Sequence, residues 1–591
     1  GAGAGAGGSW MAQSALRFNV PATSAFTSLQ LPPGEPLLLV FGGASVNDML
    51  KNWVLHVRKL QMPFVVACMD ESLFQLAEKL GYAAVMMNEG ADGESRVSTR
   101  WKYYRMDPKA FLAMGILKVR FFMEFMRAGF DVLCSDLDVM WLSDPRPWIA
   151  GSANGAALLG LADVVVSTDV THGNLDKDES AWGINNEMNT GMVLLRSSEG
   201  AMVFCRRWKA RMEQEMTKVA KLSSAMVQWW TNDQTFFNEV VHASPTMHNA
   251  QIKERNRAKR EAAAKELRDA APSPARLAHL GKVIELISGA QVSGRPSDLE
   301  TLATMRGLLF KRLSCIQHEG KDVCLGGGDV AKGQQTFTIA TFPYVHFASG
   351  HTYFTQSLQE RRGITPVAVH TTFQFGDTPE FTWGKRNRLR EKRLWLVDDE
   401  TYYQRRGPGP DAHETEYNGF LQLSGVLVEA ATAPVLRTES SSSIKIEGDK
   451  AYADAMHANN GNVYQLTEGN PNRHLLLDAF QRRLVLNAVA LGRALKRKVI
   501  MPRMTCWCDR YWWLLEDCRF PGVPRDQHQL PFHCPFDHVY DLEKWVHSDV
   551  PMREYSFLEN ARIDASDLAD VVRLDVHGAP PAGSGARGPE T

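Results

Sequence analysis

Phe130-Asp131-Val132-Leu133-Cys134-Ser135-Asp136-Leu137-Asp138-Val139-Met140-Trp141-Leu142 decides how this chain is read. Its apolar first half, between Gly129 and the later Ser143-Asp144-Pro145, predicts a buried strand. Residues i and i+2 of an extended chain share a face, so Asp136 and Asp138 are expected to converge at the strand's carboxyl end. Open α/β sheets bind ligands there. Two carboxylates so placed suit Mg²⁺ or Mn²⁺ bridging a nucleotide diphosphate, because such an ion keeps positions open for phosphate oxygens. The competing reading is a solvated turn. The apolar residues on either side count against it, since they leave buried carboxylates without partners.

Outward from this stretch, short apolar runs alternate with helical spacing. Leu37 to Phe41 predicts a strand running into Gly42-Gly43, and Val46 to Leu60 a helix. Phe64 to Asp70, Leu73 to Leu80 and Ala83 to Met87 continue as strand, helix and strand. This order predicts a parallel sheet covered by helices. Phe111 to Ala128 is an amphipathic helix with Gly129 at its end. Further strands are expected at Val164–Asp169, Gly191–Leu195, Thr336–Phe347 and Val367–Thr372, and a helix at Ala201–Glu213. A charged, Ala-rich and then Pro-rich insertion fills 250–300, and its charges read as a solvated surface. From about residue 395 a second, smaller α/β region is expected, with a helix over Leu475–Leu495 leading into a strand at Lys498–Pro502.

Composition bounds the function classes. The chain has 591 residues, 44% hydrophobic and 23% charged, with a net charge of −1. That balance offers no basic field for nucleic acid, and no apolar run of about 18 residues offers a membrane span. Residues 1–15, opening with Gly-Ala repeats, read as an artificial linker, and 577–591 as a disordered tail. A natural membrane anchor is expected to have been removed from the front of the chain. Of nine cysteines, Cys68, Cys134 and Cys205 read as core thiols, and Cys315 with Cys324 can close a loop. Cys506, Cys508, Cys518 and Cys534 form a late cluster: two disulfides or a zinc site. The Cys-x-Cys spacing favours disulfides, hence an oxidising lumen.

A cation held by two aspartates needs a third ligand. His346 and His370 both follow apolar runs. His370 is the better candidate, because Gly384-Lys385 follows it and can neutralise a departing diphosphate. The rival reading of the basic run 385–393 is a solvated helix face. Asp233-Gln234, ahead of Thr235-Phe236-Phe237-Asn238, reads either as a helix cap or as a carboxylate and amide beside a sugar's reacting carbon. Asn189-Thr190-Gly191, before a strand, can also turn polar groups toward a sugar.

In this order the pieces resemble glycosyltransferase family 77. The shared residues are Val139-Met140-Trp141-Leu142-Ser143-Asp144-Pro145 behind Asp136 and Asp138, Asn189-Thr190-Gly191, and Asp233-Gln234-Thr235-Phe236-Phe237-Asn238. Within the family the chain looks most like the xyloglucanase-resistant extensin (hydroxyproline-linked) arabinosyltransferase branch. That likeness rests on Phe347-Ala348-Ser349-Gly350-His351-Thr352-Tyr353-Phe354, Val369-His370-Thr371-Thr372-Phe373-Gln374, Gly384-Lys385-Arg386-Asn387-Arg388 and Cys506-Trp507-Cys508-Asp509.

The resemblance implies a GT-A nucleotide-diphospho-sugar transferase fold over 16–394, with an accessory α/β domain over 395–576. It implies retaining transfer of arabinofuranose from UDP-β-L-arabinofuranose to hydroxyproline-linked chains of extensin-like glycoproteins in the Golgi lumen. By motif, Asp136, Asp138 and His370 would bind Mn²⁺ or Mg²⁺, and Gly384 and Lys385 would meet the diphosphate of the UDP-sugar donor. Asp233 and Gln234 would lie at the anomeric carbon; Phe41, Gly42, Asp70 and Lys118 would lie near the uridine. The acceptor partner would be a hydroxyproline-rich glycopeptide. The rival classes are a transferase with another donor such as xylose or galactose, a metal-dependent hydrolase, and a non-catalytic glycan-binding protein.

Overall fold

The computed structural model describes residues 31, 35–87, 107–153, 159–160, 162–171, 187–223, 226–228, 230–242, 311–318, 321–326, 336–378, 381–405, 416–423, 471–512, 515, 518–520, 523 and 525–569. The expected linker 1–15, insertion 250–300 and tail 577–591 lie outside the described residues.

The first region contains strands β1 (Leu37–Gly42), β2 (Phe64–Cys68), β3 (Ala84–Met86), β4 (Val132–Ser135), β5 (Val139–Trp141) and β6 (Val164–Thr168). It continues with β7 (Met188–Leu195), β8 (Lys311–His318), β9 (Lys321–Gly326), β10 (Thr336–Thr341), β11 (Phe347–Ser349) and β12 (Ala368–His370). Nine of these form the main sheet in the order β3-β2-β1-β4-β7-β6-β10-β8-β9, and β11-β12-β5 form a second, smaller sheet. β1 runs parallel to β2 and β4, while β7 is antiparallel to both β4 and β6. The carboxyl ends of β1, β2, β4 and β6 therefore share one edge with the amino end of β7. That edge holds the site.

Alternation along the strands builds the layers. Leu37 and Leu39 of β1 pack in one cluster with α3 (Pro108–Arg127), α4 (Glu199–Val219) and α5 (Asp233–His242). Leu38 and Val40 pack in the other with α1 (Asn47–Lys59) and α2 (Glu71–Lys79). Each fully buried aliphatic or phenyl side chain contributes roughly 1.5–3 kcal/mol. α3 has the signals that the sequence carries: Asp107 accepts from Ala110 N at 3.2 Å, Pro108 stands in the first turn, and Gly129 follows with φ +92°.

Three strand expectations are corrected. β4 ends at Ser135, so Asp136 and Asp138 do not share a face of an extended strand. Asp136-Leu137-Asp138 is a turn, closed by Val139 N donating to Asp136 O at 3.2 Å, between strands of different sheets. Likewise Thr336–Phe347 is not one strand. Pro343 accepts from the backbone N–H of His346 and Phe347, and that turn separates β10 from β11. Asn189-Thr190-Gly191 lies inside β7, not before it.

α6 (Trp383–Glu391) leads into the second region. There α7 (Pro471–Leu495) precedes β14 (Lys498–Ile500), which lies between β13 (Phe420–Gln422) and β17 (Met552–Arg553) in a parallel sheet. β15 (Met504–Cys506) and β16 (Phe532–Cys534) pair antiparallel and are joined by the Cys506–Cys534 disulfide. Cys508–Cys518 is a second disulfide, so the late cysteines are paired with one another and the zinc reading falls. Cys68, Cys134 and Cys205 are free and buried, as expected. Cys315 and Cys324 face each other in the β8–β9 register, but their side chains lie outside the described residues.

The regions meet through charge. Arg388 of α6 and Asp537 are both fully buried and pair at 2.9 Å. Arg386, two residues away and on the other side of α6, reaches back to Asp48 of α1 through two 2.7 Å bonds. The basic run is therefore not a solvated face: its arginines are consumed in placing α6.

Candidate active site

Three loops bring the site together. The Asp136-Leu137-Asp138 turn is held by Ser135, whose buried Oγ accepts from Trp53 Nε1 at 3.0 Å and Trp141 Nε1 at 3.2 Å, and donates to Asp136 O. β12 pairs with β5 so that His370 faces Val139, and Thr371 donates to Asp138 O from both N and Oγ1 at 2.9 Å. Register thus delivers the imidazole to the turn. His370 Nε2 lies 3.3 Å from Asp138 Oδ1 and 3.8 Å from Asp136 Oδ2. One ligand atom from each of Asp136, Asp138 and His370 falls within 4.8 Å of the others, and among the described residues these form the group that could hold a metal ion.

Gly191 is what admits the histidine. A Cβ there would stand 2.2 Å from His370 Cε1, inside the ring's own volume. The β-carbon is missing because the imidazole lies flat against the strand.

Two lysines neutralise the carboxylates. Lys385 Nζ donates to Asp138 Oδ2 at 2.7 Å from the first turn of α6. Burial works against the charge of Asp138, but Lys385 and His370 more than offset it and hold the carboxyl well below the usual range. Lys118 of α3 is 3.5 Å from Asp136 Oδ1 and 3.7 Å from Asp233 Oδ2. Burial opposes its charge too, yet the two aspartates raise it. Gly384 packs against the loop before α6: a Cβ there would meet Gln374 Oε1 at 2.1 Å and Gly376 N at 2.8 Å.

Asp233 and Gln234 open α5. The helix cap is Asn232, whose Oδ1 accepts from Thr235 N at 2.9 Å, so Asp233 is free of that duty. Its Oδ2 accepts from Thr190 Oγ1 at 3.4 Å. Gln234 accepts from Thr190 N at 3.3 Å and donates to Asp169 at 3.1 Å. Asn238, a turn later, fixes α5 to β7 by accepting from Met188 N and donating to Met188 O.

On the β1 side, Phe41 lies beneath Lys118, whose Nζ is 5.8 Å from the ring centroid. Asp70 caps α2, accepting from Leu73 N and Ala44 N at 2.8 Å each, and so fixes the loops after β1 and β2. Gly42 closes β1 beside them. His346 is elsewhere, with its ring 4.4 Å from that of Trp148.

One residue was given no role by sequence reasoning. Asp169 follows β6 at the same edge and accepts from Asn189 Nδ2 at 2.9 Å and from Gln234. Burial first, then Glu187, pushes its carboxyl up to about 7. The signal was available: a carboxylate immediately after Val164-Val165-Val166-Ser167-Thr168, in the position Asp136 holds after β4.

A family model described as nucleotide-diphospho-sugar transferase matches residues 59–389, more than half of the chain. Arabinosyltransferase XEG113 of Arabidopsis thaliana is 24% identical over 536 residues, 89% of this chain and 59% of its own length. The chain thus spans about three fifths of that relative's length. Beta-arabinofuranosyltransferase RAY1 of Arabidopsis thaliana is 28% identical over 19% of this chain and 20% of its own. A UDP-D-xylose:L-fucose alpha-1,3-D-xylosyltransferase of the same plant is 22% identical over 32% of this chain and 48% of its own. The solved glycosyltransferase GlyE of Streptococcus pneumoniae TIGR4 aligns over 35% of this chain and 43% of its own, at 13% identity and a TM-score of 0.20.

Proposed function

From the premise that the chain belongs to the nucleotide-diphospho-sugar transferase family, we propose that it is a metal-dependent, retaining glycosyltransferase. It moves L-arabinofuranose from UDP-β-L-arabinofuranose to hydroxyproline-linked arabinofuranose chains of extensin-like glycoproteins. The observation that carries the reading is the convergence of Asp136, Asp138 and His370 beside Lys385. Two carboxylates and an imidazole suit Mn²⁺, and also Mg²⁺. Bound there, the ion would neutralise charge on the diphosphate.

The chain's own groups do the rest. Lys385 offers a second cation to the departing phosphate, and α6, anchored through Arg386 and Arg388, keeps it in place. Asp233, paired with Lys118, supplies a carboxylate beside the reacting carbon, and Gln234 an amide locked by Thr190 and Asp169. Phe41 and Gly42 edge the uridine pocket, and Asp70 gives it shape by fixing its loops. The arabinosyl donor is supported by the long alignment with the Arabidopsis arabinosyltransferase. Two disulfides suit the lumen of the secretory pathway. Among the described residues no helix is long and apolar enough to cross a membrane. A second donor reading, xylose, is favoured by the shorter alignment with the xylosyltransferase.

The test is UDP release from UDP-arabinofuranose, UDP-xylose and UDP-galactose, with Mn²⁺ or chelator, with and without arabinosylated hydroxyproline peptide. Peptide-stimulated, Mn²⁺-dependent release from UDP-arabinofuranose is the expected result. Release from UDP-xylose alone would replace the donor. No release from any donor by folded protein would leave the glycan-binding reading.

A further inference from the structure

A cavity of about 520 Å³ lies between α6 and the second region, and Asp136, Asp138, His370 and Lys385 are not among its lining residues. Its volume falls within the roughly 300–1,000 Å³ of small-molecule sites. Met501 and Pro502, after β14, and Glu554 and Tyr555, after β17, contribute to its wall. It therefore opens at the carboxyl ends of two parallel strands, the edge at which α/β sheets take ligands.

Its chemistry points away from phosphate. Six carboxyl side chains line it against three guanidinium groups, and no lysine does. The guanidinium groups are already engaged: Arg386 holds Asp48, Arg390 holds Asp398, and Arg553 donates to Tyr402 O while stacking 4.0 Å over that ring. A diphosphate would find net negative charge and no unpaired cation.

What the cavity does offer is flat apolar rings and unspent donors. Trp383, Trp395 and Trp545 line it with Tyr402. The indole N–H of Trp383 is buried and has no hydrogen-bond partner among the described residues. Glu391, 5% exposed, accepts from Phe536 N and Asn387 Nδ2 through one oxygen, and its other oxygen has no partner among the described residues. Burial first, then Asp537, pushes this carboxyl up to about 8, so at neutral pH it is mostly protonated and has an O–H to give. Rings that stack on C–H faces, neutral donors, and arginines already neutralised are the features that select an uncharged polyol over an anion.

We infer that the cavity between α6 and the second region is a separate carbohydrate site that binds a neutral oligosaccharide through Trp383, Trp545 and Glu391. It lies apart from the reaction centre and does not need the metal.

The experiment is calorimetric titration of the full chain, in chelator, with neutral oligosaccharides of arabinose, xylose and galactose, and separately with UDP. At least one oligosaccharide is expected to bind saturably. Trp545→Ala should weaken that binding about tenfold. Glu391→Gln, which keeps an acceptor for Phe536 N, should weaken it less, and Asp138→Asn should leave it unchanged. Circular dichroism and melting of Trp545→Ala check its fold, and Trp545→Phe, expected to bind in between, serves if that variant fails to fold. Absence of binding by every oligosaccharide would overturn the proposal. So would binding that neither Trp545 variant nor Glu391→Gln alters, or a loss of UDP affinity in these variants, which would make the cavity a nucleotide site.

Discussion

Asp138 meets His370 at 3.3 Å, and Asp509 meets His351 at 2.8 Å, yet the two clusters are built for different ends. Around Asp138 the charges are in excess. Asp136 keeps 40% of its side chain exposed, and the cluster is held together by two lysines that also have phosphate within their repertoire. Around Asp509 the side chains are sealed from solvent. His351 Nδ1 accepts from Gln356 Nε2, so its Nε2 carries the proton and donates to Asp509 Oδ2. His538 Nδ1 accepts from Arg388, so its Nε2 donates to Asp509 Oδ1 at 3.2 Å. His528 Nε2 lies 3.3 Å from the same carboxylate. Burial opposes the charge of Asp509, but His351 and its neighbours hold it well below the usual range. Aspartate beside histidine thus signals a ligand site when the atoms converge on a space open to solvent. When the donors close on the carboxylate, it signals a joint between regions.

Exchanging the charge at each centre separates them. Asp138→Asn should lower turnover by roughly 10³-fold or more, the several kcal/mol that a bound metal contributes to charge stabilisation, with the fold kept. Turnover within a few fold of the native chain would remove the metal-site reading. Asp509→Ala should do the reverse. It leaves the buried imidazoles of His351, His528 and His538 without the carboxylate they surround and should destabilise the chain by about 3 kcal/mol or more. Turnover measured well below the melting transition should be nearly kept. An unchanged melting temperature would show that Asp509 is not the joint.

Gly191→Ala sharpens the difference from the ligand side. The methyl group collides with the His370 ring, so Mn²⁺ should be held roughly 10–100-fold more weakly, as for loss of a group that orients a ligand. Titrating turnover with Mn²⁺ reads this directly, and an unaltered Mn²⁺ dependence would detach His370 from the metal.

The comparison also explains what was legible in the sequence. Strands β1 to β4 and helices α1 to α3 were visible because they are buried on both faces or along one stripe, which leaves a periodicity. The meeting of Asp136 with Asp138 was expected from the right residues for the wrong reason. A turn between sheets, not an extended face, brings them together, and the register of β5 against β12 adds His370. His351 and Asp509 belong to blocks that carry the family likeness, yet they meet each other 158 residues apart in a structural joint. Such blocks mark demanding packing as readily as chemistry. A solvated face stayed open as the rival reading of the α6 arginines because burial of Arg386 and Arg388 depends on Asp48 and Asp537, which no local pattern connects.

The smallest expected effect lies at Asp169, between the two extremes of exposure. Its carboxyl is raised to about 7 by burial and by Glu187, against about 3.9 in an unfolded chain. The folded state keeps the proton over an interval in which the unfolded state has lost it. Stability therefore falls as pH rises from about 4 to about 7, and is flat above that. Asp169→Asn removes the titration, but it also replaces one of two acceptors, so Asn189 or Gln234 loses a hydrogen bond at every pH. The variant should therefore be less stable than the native chain at pH 4. The gap should close, or reverse by a few degrees in melting temperature, by pH 8. A gap that is the same at both pH values would mean that Asp169 is ionised throughout, grouping it with Asp136 and Asp138 as part of the anionic edge and not with the sealed carboxylates.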